Sequence, residues 1–494
     1  MRLATSAGIK TNMKQHAKAG AGLIAKLQLL AFVFFTAAAP LLARDIPAFY
    51  GQVCANCHGK NLEGAQAPGL LKPELFKHGT DDVSLVRSIR DGYPTNNMVA
   101  WKMVLSEAEI RVMVVFIREK QEQFRRGQLT FPKPVDGQVV ESKEHKFRLK
   151  NVVAEGLQTP WSFAFLPDGR MLVTELPGRL RVVKEGEPLG QPVAGTPSVR
   201  ARGQGGLLEV ALHPGYASNG WVYLTFSDPY TNANGQVLGL TAVARGRIKD
   251  NRWSDGEIIF RAPYSFYKPS DIHFGSRLAF DGEGHLFFSM GERGEKDNAQ
   301  DITRPNGKIH RIFDDGRIPA DNPFVGVSNA FPSIWCYGNR NPQGLTRHPV
   351  TGELWEAEHG PRGGDEINWI RKGLNYGWPV ISYGMDYNGA PIAEGTAREG
   401  LEQPVTYWTP SIAVCAITFY SGDKFPRWKN NLFVTALAQQ ELRRLIVDGH
   451  QVVEQEVLFK DIGRVRYVAN GPDGCIYVAL NGPDRIVRLE PVAK

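Results

Sequence analysis

The chain has 494 residues but only five cysteines, which excludes a disulfide-dense scaffold. Acidic side chains are missing altogether from residues 1–43, where Arg2, Lys10, Lys14, Lys18 and Lys26 stand without a counter-charge. That stretch supplies most of the formal net charge of +7, because beyond it 53 basic residues face 51 acidic ones. The rest of the chain therefore lacks the basic excess of a nucleic-acid binder, and no nucleic-acid partner is expected. Glycine (52) and proline (32) follow no fixed period, so collagen is excluded and a turn-rich protein is favoured. At 42% hydrophobic and 10% aromatic residues, wholesale disorder is excluded too. Past residue 43 no apolar run is long enough to span a bilayer, and past residue 146 no long amphipathic helical pattern occurs.

Residues 1–43 read as a signal peptide: a basic region, then a 17-residue apolar run over 27–43, then the charged Arg44-Asp45. The run is shorter than the ~20 residues of a spanning helix, and its alanine-rich end suits a signal peptidase. The expected product is exported to the periplasm, with no stable membrane insertion after cleavage. An uncleaved N-terminal anchor is the alternative.

Immediately after the leader stands Cys54-Ala55-Asn56-Cys57-His58. CxxCH is the attachment pattern of c-type haem: the two thiols bond to the haem vinyl groups and the adjacent imidazole ligates iron. A zinc or redox CxxC pair is the rival reading, but residues 59–135 offer no second cysteine pair. A low-spin haem also needs a distal ligand, commonly methionine. Met98 ends the polar, proline-bearing loop Tyr93-Pro94-Thr95-Asn96-Asn97-Met98 and is the expected ligand; Met103 is the competitor, placed nearer a helix where a core role is expected. Ser106-Glu107-Ala108-Glu109 is a capping box, and Ile110, Met113, Val114 and Ile117 then form one apolar helical face. Residues 44–125 thus resemble a small all-α cytochrome c domain with one haem. The charged, proline-bearing stretch 126–146 reads as a linker.

From 147 to 494 a strand–turn–strand pattern recurs six times, at 161–175, 207–226, 277–292, 344–358, 417–437 and 465–480. Six hairpin signals predict an all-β, six-bladed propeller, which a pair of sandwiches fits poorly. Ring closure is expected where 147–153 lies beside 485–492. Cys336, Cys415 and Cys475 fall in different repeats and are expected to be buried, with one disulfide among them left open.

The loops between the repeats carry Gly203-Gln204-Gly205-Gly206, His273-Phe274-Gly275-Ser276-Arg277, Gly338-Asn339-Arg340-Asn341-Pro342, His359-Gly360-Pro361, Gly364-Asp365-Glu366-Ile367-Asn368 and Asn375-Tyr376-Gly377-Trp378-Pro379. On these blocks residues 157–488 resemble the soluble quinoprotein sugar dehydrogenases of the glucose/sorbosone dehydrogenase family, which carry pyrroloquinoline quinone (PQQ) and calcium on a six-bladed propeller. The resemblance implies oxidation of the C1 hydroxyl of an aldose sugar to a lactone. It makes His273 the base, oriented by Glu292. Arg340, Arg464 and Arg466 would bind the PQQ carboxylates, with Gln204 and Asn341 as neutral donors. One calcium would use the carbonyls of Gly360 and Pro361, and a second the Glu366 carboxylate and the Tyr376 carbonyl. With haem c in the same chain, electrons would pass to that haem and on to a downstream cytochrome or terminal oxidase.

Four places depart from the family pattern and bear on substrate range and cofactor affinity. Glu292 stands where aspartate is usual, Ala438 for a lysine, Val414-Cys415 for Pro-Ser, and Tyr467 for an aspartate. Two other readings stay open: oxidation of sorbosone or another aldehyde, and a non-catalytic carbohydrate-binding or sensory propeller with a redox-reporting haem.

Overall fold

Helix-forming sequence is gathered at the N-terminal end, and the computed structural model, which describes residues 44–492 except Asn97, folds it into a small helical region. The expected signal peptide lies outside the described residues. Helix α1 (Ile46–Phe49) starts on Asp45, whose side chain accepts from the Ala48 amide at 3.0 Å. A single wide turn leads from it into α2 (Ala55–His58), so Cys54, Cys57 and His58 stand on consecutive turns. Helix α3 (Asp82–Asp91) is capped by Asp81. Helix α4 (Glu107–Gly127) begins with both hydrogen bonds of the Ser106–Glu109 capping box. Its expected apolar face, Ile110, Met113, Val114 and Ile117, is buried against Ile46, Tyr50, Leu62, Leu85 and Ile89.

Two expectations for this region are corrected. Met103 is 87% exposed, in the turn between Trp101 and Leu105, because α4 begins only at Glu107; it packs in no core. The stretch 126–146 is not a free linker. Helix α4 runs through Gly127, and Val139–Glu141 pairs with Lys146–Val153 as an outer strand, driven by the alternation that buries Val140 between two exposed neighbours.

Beyond residue 146 the chain forms the predicted six-bladed propeller of antiparallel sheets. The first strands of the blades, Pro160–Phe165, Leu207–Leu212, Leu278–Phe280, Pro342–Arg347, Val414–Phe419 and Arg464–Asn470, neighbour one another in a ring. Lys146–Val153 pairs with Arg485–Pro491, Leu149 opposite Leu489, so the last blade is closed by the first strand of the domain. That closure removes a sheet edge. Apolar side chains between blades form the core, as with Phe147, Phe425, Trp428 and Leu489. All five cysteines are free, and Cys336, Cys415 and Cys475 are buried as expected.

Five of the six inner strands shift register near their first residues: after Pro160, Leu207, Pro342, Val414 and Val465. A bulge re-aims the side chains that precede it. The loops entering these strands carry the residues singled out above, so the irregularity sits at one end of the ring, where chemistry is expected.

Candidate functional site

His273 lies in the loop entering the third inner strand, with φ +56, a left-handed conformation that costs energy for a non-glycine residue. Two contacts hold it there. Its amide donates to Gln204 Oε1 at 2.8 Å, and its carbonyl lies so near Gly291 that any Cβ there would come within 2.4 Å. Its Nδ1 lies 2.7 Å from Glu292 Oε1. A carboxylate only accepts, so Nδ1 carries the proton and Nε2 is the free basic nitrogen. Burial pulls the His273 pKa below the ordinary imidazole value; Glu292 opposes this, while Arg340 and Arg293 add to it. The imidazole is therefore neutral at neutral pH. The longer Glu292 side chain still spans the gap to the ring, and the Glu292 amide donates to the Arg340 carbonyl at 2.9 Å.

Arg340 is buried. One terminal nitrogen donates to the carbonyls of His359 (2.9 Å) and Gly360 (3.3 Å), while Nε has no partner. Asn341 Oδ1 accepts from the Gly275 amide at 3.2 Å. Gly360 is packed so closely on Gly363 and Gly364 that a Cβ would meet the Gly363 carbonyl at 2.3 Å. Arg466 donates to Asn481 Oδ1 at 3.2 Å, and burial lowers its pKa. Arg464, two residues earlier, is exposed at the rim. The structure therefore brings His273, Glu292, Gln204, Arg340, Asn341 and Gly360 into one connected group, with Arg466 alongside and Arg464 outside it.

Two residues of this group were missed as functional in the sequence, although both lie within the quoted motifs. His359 is half-buried, with its Nε2 enclosed and without a partner, and its pKa falls well below the imidazole range through desolvation and the cations of Arg340 and Arg466. Asp365 accepts from the Gly360 amide (2.8 Å), Ser411 Oγ (2.8 Å) and the Val414 amide (3.0 Å), tying two loops together. Burial raises its pKa to about 6. A carboxylate five residues after a glycine in a loop gives no such signal by spacing alone.

Glu366 faces Glu358 across the Leu354–Glu358 and Asp365–Ile370 strands, and Glu356 is two residues further along. Asn368 Nδ2 is shared between Glu356 (3.1 Å) and Glu366 (3.3 Å), leaving Glu356 Oε1 with no partner. Burial pushes all three carboxyls up, Glu358 to about 7, with repulsion from Glu358 adding to the rise at Glu356 and Glu366 and repulsion from Glu292 adding to that at Glu358. Carboxylate oxygens are the kind of donor that a hard divalent cation takes. The Tyr376 hydroxyl donates to the Trp369 carbonyl at 2.6 Å, which fixes its turn.

The departing positions have defined surroundings. Cys415 Sγ lies 3.4 Å from an Arg277 nitrogen and 3.6 Å from one of Arg466. Tyr467 donates to Glu209 (2.9 Å), which is ion-paired with buried Arg277. Ala438 is exposed and places no cation there.

In the helical region, His58 Nδ1 lies 2.9 Å from the Pro68 carbonyl. A carbonyl only accepts, so this bond puts the proton on Nδ1 and leaves Nε2 as a ligand. Burial raises the Cys54 thiol to about 11, and Cys57 is exposed. Met98 is half-buried in a turn closed by mutual main-chain bonds with Tyr93 at 2.8 and 3.1 Å.

A propeller end with a carboxylate-held neutral histidine, buried arginines and a carboxylate cluster, joined to a CxxCH helical domain, defines a class of cofactor-dependent oxidoreductase. Residues 157–488 match the family described as Glucose / Sorbosone dehydrogenase, and residues 42–117 match the family described as Cytochrome C oxidase, cbb3-type, subunit III. The chain belongs to the glucose/sorbosone dehydrogenase family, with a cytochrome c domain ahead of the propeller. It is 44% identical over 333 residues to "Aldose sugar dehydrogenase YliI" of Escherichia coli (strain K12), covering 66% of this chain and 88% of that protein. It is 26% identical over 426 residues to "Quinoprotein glucose dehydrogenase B" of Acinetobacter calcoaceticus, covering 69% and 87%. The PQQ-bound aldose sugar dehydrogenase of Streptomyces coelicolor superposes with a TM-score of 0.58 at 27% identity, covering 71% of this chain and 99% of that one.

Proposed function

We propose that this sugar dehydrogenase is an exported enzyme that oxidises the C1 hydroxyl of an aldose to the lactone, using PQQ and calcium, and delivers the electrons to its own c-type haem. The observation that carries the reading is the His273–Glu292 pair at 2.7 Å, with a basic Nε2 beside buried Arg340. When bound, PQQ supplies a two-electron acceptor for the hydride of the sugar C1 carbon.

The residues fit that group. PQQ is a tricarboxylate, and the site offers Arg340 and Arg466 with Gln204 and Asn341, while Arg464 stands exposed at the rim. Buried Arg340 Nε and His359 Nε2 have no protein partner to compete for them. Gly360, Pro361, Glu366 and Tyr376 are the proposed calcium ligands, and burial of the carboxyls at 356, 358 and 366 makes a neutralising cation favourable there. Cys54 and Cys57 would hold the haem, with His58 and Met98 as its axial ligands.

In the reaction His273 Nε2 takes the C1 hydroxyl proton. Glu292 keeps the ring in the required tautomer and stabilises the imidazolium that forms. Arg340, positioned by the Glu358 carboxylate that accepts from its amide at 2.5 Å, would hold a carboxylate of the cofactor. The sugar gives up two electrons and iron takes one at a time, so a downstream cytochrome or terminal oxidase must clear the haem between transfers.

Adding aldose to the full chain loaded with PQQ and calcium should reduce the haem without a mediator. No reduction in the loaded protein would contradict the reading. Export rests on residues 1–43, and the periplasmic fraction should hold the mature chain. Among the described residues no helix is long and apolar enough to cross a membrane.

A further inference from the structure

The sugar dehydrogenases matched above span 66–71% of this chain, so whatever joins the helical region to the propeller is a feature of this molecule. Its contacts converge on the segment 382–390. Met385 projects from the propeller into the helical core, where it is fully buried beside Ile46, Tyr50 and Met113. The Gly389 carbonyl accepts from the Ile46 amide at 3.3 Å. A Cβ at Gly389 would lie 2.7 Å from Pro47 Cδ and 2.9 Å from Asp45 Oδ1, so the helical region packs flush against this turn.

The same segment touches both halves of the sugar site. Met385 and Arg362 exchange main-chain hydrogen bonds of 3.1 and 3.2 Å, and Arg362 directly follows Gly360-Pro361. Asp386 is ion-paired with Lys296, four residues after Glu292. Helix α4 grips the assembly again: buried Glu119 accepts from the Arg362 guanidinium at 2.9 Å, and Arg126 pairs with fully buried Glu441. The Arg126–Glu441 pair is sheltered enough to hold one geometry, because breaking it strands a charge away from water.

We propose that segment 382–390 is a strap that, together with the direct Glu119–Arg362 ion pair, lets the helical region set the position of loop 359–364, with Glu119 and Met385 as positioning residues. The haem domain is then part of the framework of the sugar site, not an acceptor on a tether. The structural part stands on the contacts above, while its consequence for turnover rests on the reading of Gly360-Pro361 as the cofactor loop.

The test is amide hydrogen exchange on the full haem-bearing chain without PQQ, in wild type, Glu119→Gln and Gly389→Val. Local opening reports through exchange. Exchange over 359–364 should rise by about tenfold in both variants, while the amides within α4 keep their protection. The pair Glu119→Arg with Arg362→Glu should return the loop toward wild-type protection. In the PQQ- and calcium-loaded proteins, sugar-driven haem reduction should slow more than reduction of a soluble dye. Unchanged exchange over 359–364 in both single variants, or no restoration by the charge-exchanged pair, would overturn the strap. If wild type reduces neither haem nor dye with sugar, the functional reading fails while the exchange data still decide this inference.

Discussion

In the helical region the haem attachment residues and the first expected iron ligand come from five consecutive residues, Cys54 to His58, with Met98 added from one later turn, and one bond to Pro68 orients the histidine. In the propeller the corresponding groups are drawn from positions 204 to 466, and nearly every one is positioned by a residue from another loop. His273 leans on Gln204, Gly291 and Glu292; Gly360 leans on Asp365, which is itself tied to Ser411 and Val414. The first site is a local motif placed on a helix. The second is a consensus of loops that exists only once the ring has closed. A local site should therefore fail all at once when a ligand is lost, whereas a distributed one should fail by degrees.

The sharpest break in that comparison is His58→Ala. It should abolish normal low-spin ligation and with it all sugar-driven haem reduction, while dye-linked sugar oxidation continues; visible spectra and a dye assay on one preparation check both halves. Loss of dye activity together with the haem signal would show that the two sites are not separable at this residue.

In the propeller, Glu292→Gln should slow sugar oxidation by about 10–100-fold, the range usual for a group that orients another. It also carries a signed pH effect. Burial lowers the His273 pKa and Glu292 partly restores it, so removing the carboxylate should move the acid limb of the rate profile to still lower pH. An acid limb that shifts upward would mean that Glu292 does not face the imidazole in solution.

Metal removal probes the carboxylate cluster. Glu356, Glu358 and Glu366 have raised pKa values, so the folded chain binds more protons than the unfolded one, and metal-free stability falls as pH rises above the usual carboxyl range, through about 7 for Glu358. Calcium must displace those protons. Its gain in Tm should be larger near about pH 8 than near about pH 5, and an equal gain at both would take the ion away from this cluster.

The smallest expected effect separates two methionines. Met98→Ala should lower the haem potential. Met103→Ala should leave the spectrum alone and change stability by no more than about 0.5 kcal/mol, because Met103 is exposed.

That last pair shows what the sequence makes legible. Proximity to α4 suggests that Met103 is packed, yet two residues of turn separate it from the helix cap Ser106, and exposure is decided by that turn. The capping box, the Ile110–Ile117 face and the six hairpins are written in residue spacing, so they are readable directly. Bulges after Leu207, Pro342 and Val414 are not, since a one-residue register shift depends on the partner strand. The strand Val139–Glu141 was hidden by its charged, proline-bearing surroundings, and its partner only became available when the last blade formed. For the site, His273, Glu292, Gln204 and Arg340 were found through motif resemblance. His359 and Asp365 sat inside the same motifs, but their roles follow from burial and from loops more than forty residues away.

In the proposed function His273 is the base of a sugar dehydrogenase whose electrons reach the haem of the same chain. Stopped-flow haem reduction at saturating aldose, in PQQ- and calcium-loaded wild type and His273→Gln, tests it most directly. Loss of a general base costs about 10²–10⁴-fold in rate, while the arginines that hold PQQ and the ligands that hold haem are untouched. His273→Gln should keep unaltered cofactor and haem spectra, with haem reduction slowed by that factor. Haem reduction at the wild-type rate in His273→Gln would contradict that role.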